Sequence, residues 1–125
     1  MTPLEQQFTL LQAHYPAATT RALPSGATAV IVPGTRLPGG WNRQEVDVKF
    51  VAPIGYPVAR PDCFWVNPDL RLQNGNMPQA AQMQVLPETQ EQHLWFSWHL
   101  QSWNPNADSL LSYFHMVMAR LGHAQ

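Results

Sequence analysis

The sequence predicts an α+β domain: an N-terminal helix, an antiparallel β-meander, an irregular segment and a C-terminal helix, with the helices on one face of the sheet. Three observations predict it. Leu4, Phe8, Leu11 and Tyr15 recur at helical spacing behind a helix-start signal. In "EVDVKFV", Val46, Val48 and Phe50 alternate with Glu45, Asp47 and Lys49, the pattern of a half-solvated strand. Leu110, Phe114, Val117 and Leu121 form a second helical stripe, widened by Leu111 and Met118.

The first helix starts at Thr2-Pro3-Leu4-Glu5. Thr2 can cap, Pro3 suits the first helical position and Glu5 completes a capping box. Pro16 stops it after about Tyr15. "ATAVIV", Ala27 to Val32, is a β-branched run between Gly26 and Pro33-Gly34 and predicts a strand. "GTRLPGGWNRQ" is a loop, and Glu45 to Val51 is the next strand. The three prolines of "PIGYPVARP" remove ladder donors, so that stretch is irregular. "DCFWV" is a third candidate strand. "NPDLRLQNGNMPQAAQMQ" reads as loop around an Asn74-Gly75 turn, and "HLWFSWHL" as extended. The last helix is expected over Asn106 to Leu121, capped by Asp108 or Asn106 and closed by Gly122.

Composition narrows the function. The 125 residues fit one domain, 1–125, and 45% hydrophobic content is enough for one core. A net charge of -1, with Lys49 the only lysine and the arginines scattered singly, argues against nucleic-acid binding. Cys63 is the only cysteine, so no disulfide forms within the chain. No signal peptide and no apolar run of membrane-spanning length is visible, so a cytoplasmic location with no membrane partner is the expectation. His93, His99, His115, His123 and Cys63 show no ligand spacing of a known metal site. "PGG" at Pro38–Gly40 has no following helix and is not a phosphate loop. No metal or cofactor is expected.

Three segments, in order, carry a family pattern. "VDVKFVAPIGYPVARPDCFW" has a strand ending in Pro53, then Tyr56-Pro57, Pro61 and Phe64. Asn67-Pro68-Asp69 looks like a degraded His-Pro-Asn motif. Trp103-Asn104-Pro105 precedes an Asp108-headed helix. Together they resemble ubiquitin-conjugating enzymes, over roughly residues 1–122. They are most similar to the bacterial branch of that family, which carries a Pro-Asp-x-Phe-Trp-Val-x-Pro segment, here Pro61 to Pro68, and a later Ser-x-His, here Ser97-Trp98-His99. The resemblance implies a ubiquitin-conjugating (UBC-like) fold. It also implies a place in a ubiquitin-like modification pathway, beside a ubiquitin-like protein, an activating enzyme and a deubiquitinase-like peptidase.

The departures are as informative. The ordinary enzyme's cysteine lies eight residues before the tryptophan matched by Trp103, and here that position is Trp95. Asn67 replaces the motif's histidine. Asp69 replaces the oxyanion-supporting asparagine, and a carboxylate cannot donate a hydrogen bond unless protonated.

Several readings of the site stay open. In one, Ser97 takes the acyl group of a ubiquitin-like C-terminus as an oxyester and His99 activates it; in an extended segment the two share a face, about 7 Å apart. In another there is no covalent step, and His99 and Asp69 position or deprotonate a nucleophile while the acyl group stays on a partner. In the third, Ser97 and His99 are packing residues beside tryptophans. Trp95, Asn67 and Tyr56 are candidates for binding the ubiquitin-like protein or another partner, with Trp95 walling a tail-binding groove. Cys63 is read as a packing residue, because Asp62 beside it raises a thiol pKa. The alternative for the whole chain is a catalytically silent UBC-like module that scaffolds the ubiquitin-like protein or the activating enzyme.

Overall fold

The computed structural model describes residues 2–98 and 100–125. Helix α1 (Pro3–His14) opens the chain, strands β1 (Thr19–Ala22), β2 (Thr28–Arg36), β3 (Glu45–Ala52), β4 (Phe64–Val66), β5 (Ala81–Val85) and β6 (Gln92–Phe96) follow, and α2 (Leu110–Leu121) ends it. The strands form one antiparallel sheet in the order β1-β2-β3-β4-β6-β5. The architecture is the α+β one expected.

The capping box at α1 is formed: Glu5 N–H donates to Thr2 Oγ1 and Thr2 N–H to Glu5 Oε1. Leu11 is fully buried, and Leu4, Phe8 and Tyr15 pack beside it. The alternation read in β3 holds, with Val46, Val48, Phe50 and Ala52 buried under the helices. The strand expected at Ala27 to Val32 runs on to Arg36, because a bulge between Val32 and Thr35 absorbs Pro33-Gly34. Asp47 Oδ1 accepts the Gly34 N–H there.

Three expectations need correction. β1 and β5 were not expected. Both are edge strands: β1 exposes all four residues, and β5 alternates between glutamine and half-exposed apolar residues. Helix α2 starts at Leu110, not Asn106. Ser109 is the N-cap, and Asp108 sits one residue outside, accepting from the Asn104 N–H and from Ser112 Oγ. Gly122 does end α2, but with right-handed backbone rather than as a left-handed cap.

The core is the layer between α2 and the sheet. Leu110, Tyr113, Phe114, Val117, Arg120 and Leu121 of α2 are buried. Tyr113 packs on Phe50, and Phe64 stacks on Phe96 with centroids 4.8 Å apart. Two polar ties pin α2 lengthwise: Tyr113 Oη donates to the Cys63 carbonyl at 2.7 Å, and the Trp41 indole donates to the Leu121 carbonyl at 2.9 Å. The outer face of the sheet is covered differently. The β5–β6 loop folds back over it, burying Leu86 against Trp65 and Cys63, while Glu88 receives the Ser25 N–H and hydroxyl.

Two stability predictions follow from this packing. Trp103 is half-buried, packs against Tyr56 and donates its indole N–H to the Pro57 carbonyl. Trp103→Ala should therefore cost about 2–3 kcal/mol in urea unfolding, short of the full-core value. Gly40 has φ +103°, and a Cβ there would sit 2.6 Å from that of Ala124. Gly40→Ala should cost about 1–3 kcal/mol in the same assay, and no change would show that the 123–125 segment moves aside freely.

Candidate functional site

The site is built where β6 runs out. Leu94 and Phe96 face the core, and Trp95 faces the opposite side, half-buried against Trp65 and Cys63. The strand ends at Phe96, and the chain bends at once, since Trp98 N–H donates to the Phe96 carbonyl. Ser97 is exposed at this bend, and its N–H donates to the Ala80 carbonyl at 2.8 Å. Trp95 and Ser97 line one shallow depression of about 240 Å³ with Ala80, Ala81 and Gln82. The extended spacing expected between Ser97 and its neighbours therefore stops at the strand end. His99, the other half of the expected pair, lies outside the described residues.

Pairing direction decides what else reaches this place. β4 runs antiparallel to β6, with Phe64 opposite Phe96 and Val66 opposite Leu94. Residues before β4 thus lie beside Ser97, and residues after β4 lie at the far end of the ladder. Cys63 comes before, and Asn67 and Asp69 come after. The Trp98 backbone and the Trp95 side chain lie close enough to the Cys63 sulfur to favour its thiolate form. Cys63 is 8% exposed, with φ 60°. Burial, and then the Asp62 carboxylate, push its thiol up from the ordinary value, against the pull of those two tryptophans. The thiol is protonated at neutral pH, as expected of a packing cysteine. Its nearness to Ser97 was not expected. The signal was available in the matching of "FWV" with "LWF" as antiparallel neighbours.

Asn67 and Asp69 are engaged elsewhere. Asn67 Oδ1 accepts the Asp47 N–H at 2.7 Å and so closes the β3–β4 edge. The Asp69 carboxylate pairs with the Arg43 guanidinium at 2.8 Å, and the Asp69 carbonyl accepts from Asn42. Neither residue lines the Ser97 depression. The Tyr56 hydroxyl donates to Gln7 Oε1, which also receives the Leu110 N–H. Burial, reinforced by Asp108, pushes that hydroxyl's pKa upward. Tyr56 also packs on Trp103, whose indole holds the Pro57 carbonyl, and Arg60 donates to the Leu100 carbonyl. The Tyr-Pro loop is thereby fastened to the 100–103 segment just past the site.

Among the described residues, no three His, Cys, Asp or Glu side chains converge to hold a metal. No helix of the described residues is long and apolar enough to cross a membrane.

The buried thiol gives a reactivity prediction. At about pH 8, iodoacetamide should label Cys63 at least ~10-fold more slowly in the native protein than in denaturant. Equal rates would show that the sulfur is open to solvent.

No curated protein and no solved structure matches the chain significantly. The description "Prokaryotic E2 family E" matches residues 9–124. Membership in an E2-like family implies a ubiquitin-conjugation-like role, with a ubiquitin-like protein and its activating enzyme as partners. The fold agrees with the UBC-like one. The match spans nearly the whole chain, and the chain belongs to the prokaryotic E2 family E.

Proposed function

We propose that this protein takes the C-terminal acyl group of a ubiquitin-like protein from an activating enzyme, with Ser97 as acceptor and His99 as base. One observation carries the reading: Ser97 is exposed on the rim of a depression walled by Trp95, while the only cysteine is buried and protonated beside it. Serine needs a partner base to act as a nucleophile at neutral pH. In the step proposed, Ser97 Oγ attacks the carbonyl carbon of the activating enzyme's thioester. A C–O bond forms and the C–S bond breaks. The hydroxyl proton passes to the His99 imidazole and then to the departing thiolate. The depression beside Trp95 would receive the extended tail of the modifier. A peptidase that later removes the modifier belongs to the same proposal.

A specific observation favours a second reading, in which the chain holds the modifier or the activating enzyme without a covalent step. The Ser97 and Trp98 N–H groups are both already bonded, to the Ala80 and Phe96 carbonyls. Neither is free to stabilise an oxyanion as the fold now stands. The variant of this reading in which Asp69 assists His99 has less support, since Asp69 is paired with Arg43 at the other end of the β4–β6 ladder.

Incubation with the cognate activating enzyme, ATP and the ubiquitin-like protein separates the two. Acyl transfer predicts an adduct that hydroxide cleaves and thiols do not, lost in Ser97→Ala and His99→Ala and kept in Cys63→Ser. A thiol-labile adduct lost only in Cys63→Ser would transfer the role to the cysteine. The absence of any adduct, with the ubiquitin-like protein still bound, would leave the scaffold.

A further inference from the structure

The most unusual group in the molecule is a buried cation. Arg120 is 3% exposed, on the last turn of α2, and no Asp or Glu side chain pairs with it among the described residues. Its Nη1 donates to the His123 carbonyl and its Nη2 to the Gln79 and Gln125 carbonyls, each at 2.8–2.9 Å. Its Cζ lies 5.0 Å from the Phe96 ring, 5.2 Å from the Trp98 ring and 5.9 Å from the Trp41 ring. Burial lowers its pKa, but a guanidinium at neutral pH stays charged. A charge taken from water into such a place is costly unless the place requires it.

The partners show what is held. Gln79 immediately precedes Ala80, which lines the depression and accepts the Ser97 N–H. Phe96 and Trp98 flank Ser97 on both sides. Gln79 N–H also donates to the Gln125 carbonyl, so the 123–125 segment closes a ring of bonds around the guanidinium. One planar cation, itself only 3% exposed, thus touches the segments on both walls of the depression.

We propose that Arg120 is a positioning residue, whose guanidinium locks the Gln79–Ala80 and Phe96–Trp98 backbones together and so fixes Ser97 in the depression. This rests on the acyl-acceptor reading for its functional consequence, but not for the structural one. The planar fork is essential. Lysine keeps the charge, but its three N–H donors radiate from a single atom and it has no planar face to lay against a ring.

The test uses amide hydrogen exchange and adduct kinetics on Arg120→Lys and Arg120→Met. The Ser97 and Gln79 amides should lose at least ~10-fold in protection, more in Met than in Lys, while β2 and β3 amides keep theirs. At saturating charged activating enzyme, adduct formation should slow by at least ~10-fold with little change in the concentration for half-maximal rate. Two gentler variants keep the idea testable if Arg120 variants fold poorly. Trp98→Leu removes one face of the stack at a residue 38% exposed, and truncation after Gly122 removes two carbonyl acceptors. Both should lower Ser97 protection selectively. Unchanged Ser97 protection, or an equal loss across the whole sheet, would overturn the positioning role. If wild type forms no adduct, the acyl-acceptor reading fails and the exchange data still decide for or against Arg120.

Discussion

The seam between α2 and the inner face of the sheet is the constraint on which the rest depends. The sheet's short central strand, β4, has three residues, all buried, and cannot hold its place by ladder bonds alone. What fixes it is the aromatic layer under α2: Tyr113 on Phe50, Phe64 on Phe96, and Phe114 against Tyr15. Rings at these separations add to the area they bury. The two hydrogen bonds running off α2 then set its slide along the sheet, Tyr113 to Cys63 at one end and Trp41 to Leu121 at the other. Because Phe64, the residue after Cys63, pairs with Phe96 across β4–β6, the tie at Tyr113 also sets the level at which β6 ends and Ser97 begins.

That level separates two groups of residues that a linear reading joins. The degraded motif at Asn67-Pro68-Asp69 and the Ser97 bend lie at opposite ends of the β4–β6 ladder. Asn67 and Asp69 each have a structural partner, the Asp47 amide and the Arg43 guanidinium. Such occupied polar groups stabilise a turn, and using the carboxylate for chemistry would break its solvent-exposed ion pair with Arg43. At the other end, the residues brought to Ser97 come from "DC" and "QAA", stretches read as a strand edge and a loop.

How much was legible follows from which residues report on burial. The α1 and α2 stripes and the β3 alternation were readable because one face of each is in the core and periodicity records that. β1 and β5 were not, because edge strands gain little from alternation and here show exposed threonine and glutamine. The α2 start was misjudged because Asp108, an excellent cap, bonds the Asn104 amide and Ser112 from one residue outside. Trp95 faces away from Phe96, as a strand's fixed period requires of the extended stretch read there. Arg120 was not legible at all. A cation in the last turn of a helix ordinarily answers the helix dipole in solvent. Only the tertiary arrangement shows that Phe96, Trp98 and Trp41 close over it.

The buried arginine also explains why the aromatic cluster and the chain's last residues belong to one device. A hydrophobic residue at position 120 would satisfy Phe96 and Trp41, but it would leave the carbonyls of Gln79, His123 and Gln125 without the donor they now share. A lysine has as many N–H donors as there are carbonyls, but radiates them from one atom and lacks the two separated nitrogens that reach them here. The guanidinium serves all three through its two terminal nitrogens and lies within 5.9 Å of the three ring centroids, so one group meets most of the polar and apolar demands of the site, its Nε alone being left without a partner among the described residues. What the cation does not touch is the solvent side of the Ser97 bend, where Ser97 is exposed. Under the acyl-acceptor proposal such a division would suit an extended modifier tail: walls set from inside by a charge that is 3% exposed, and an open rim where the chain turns.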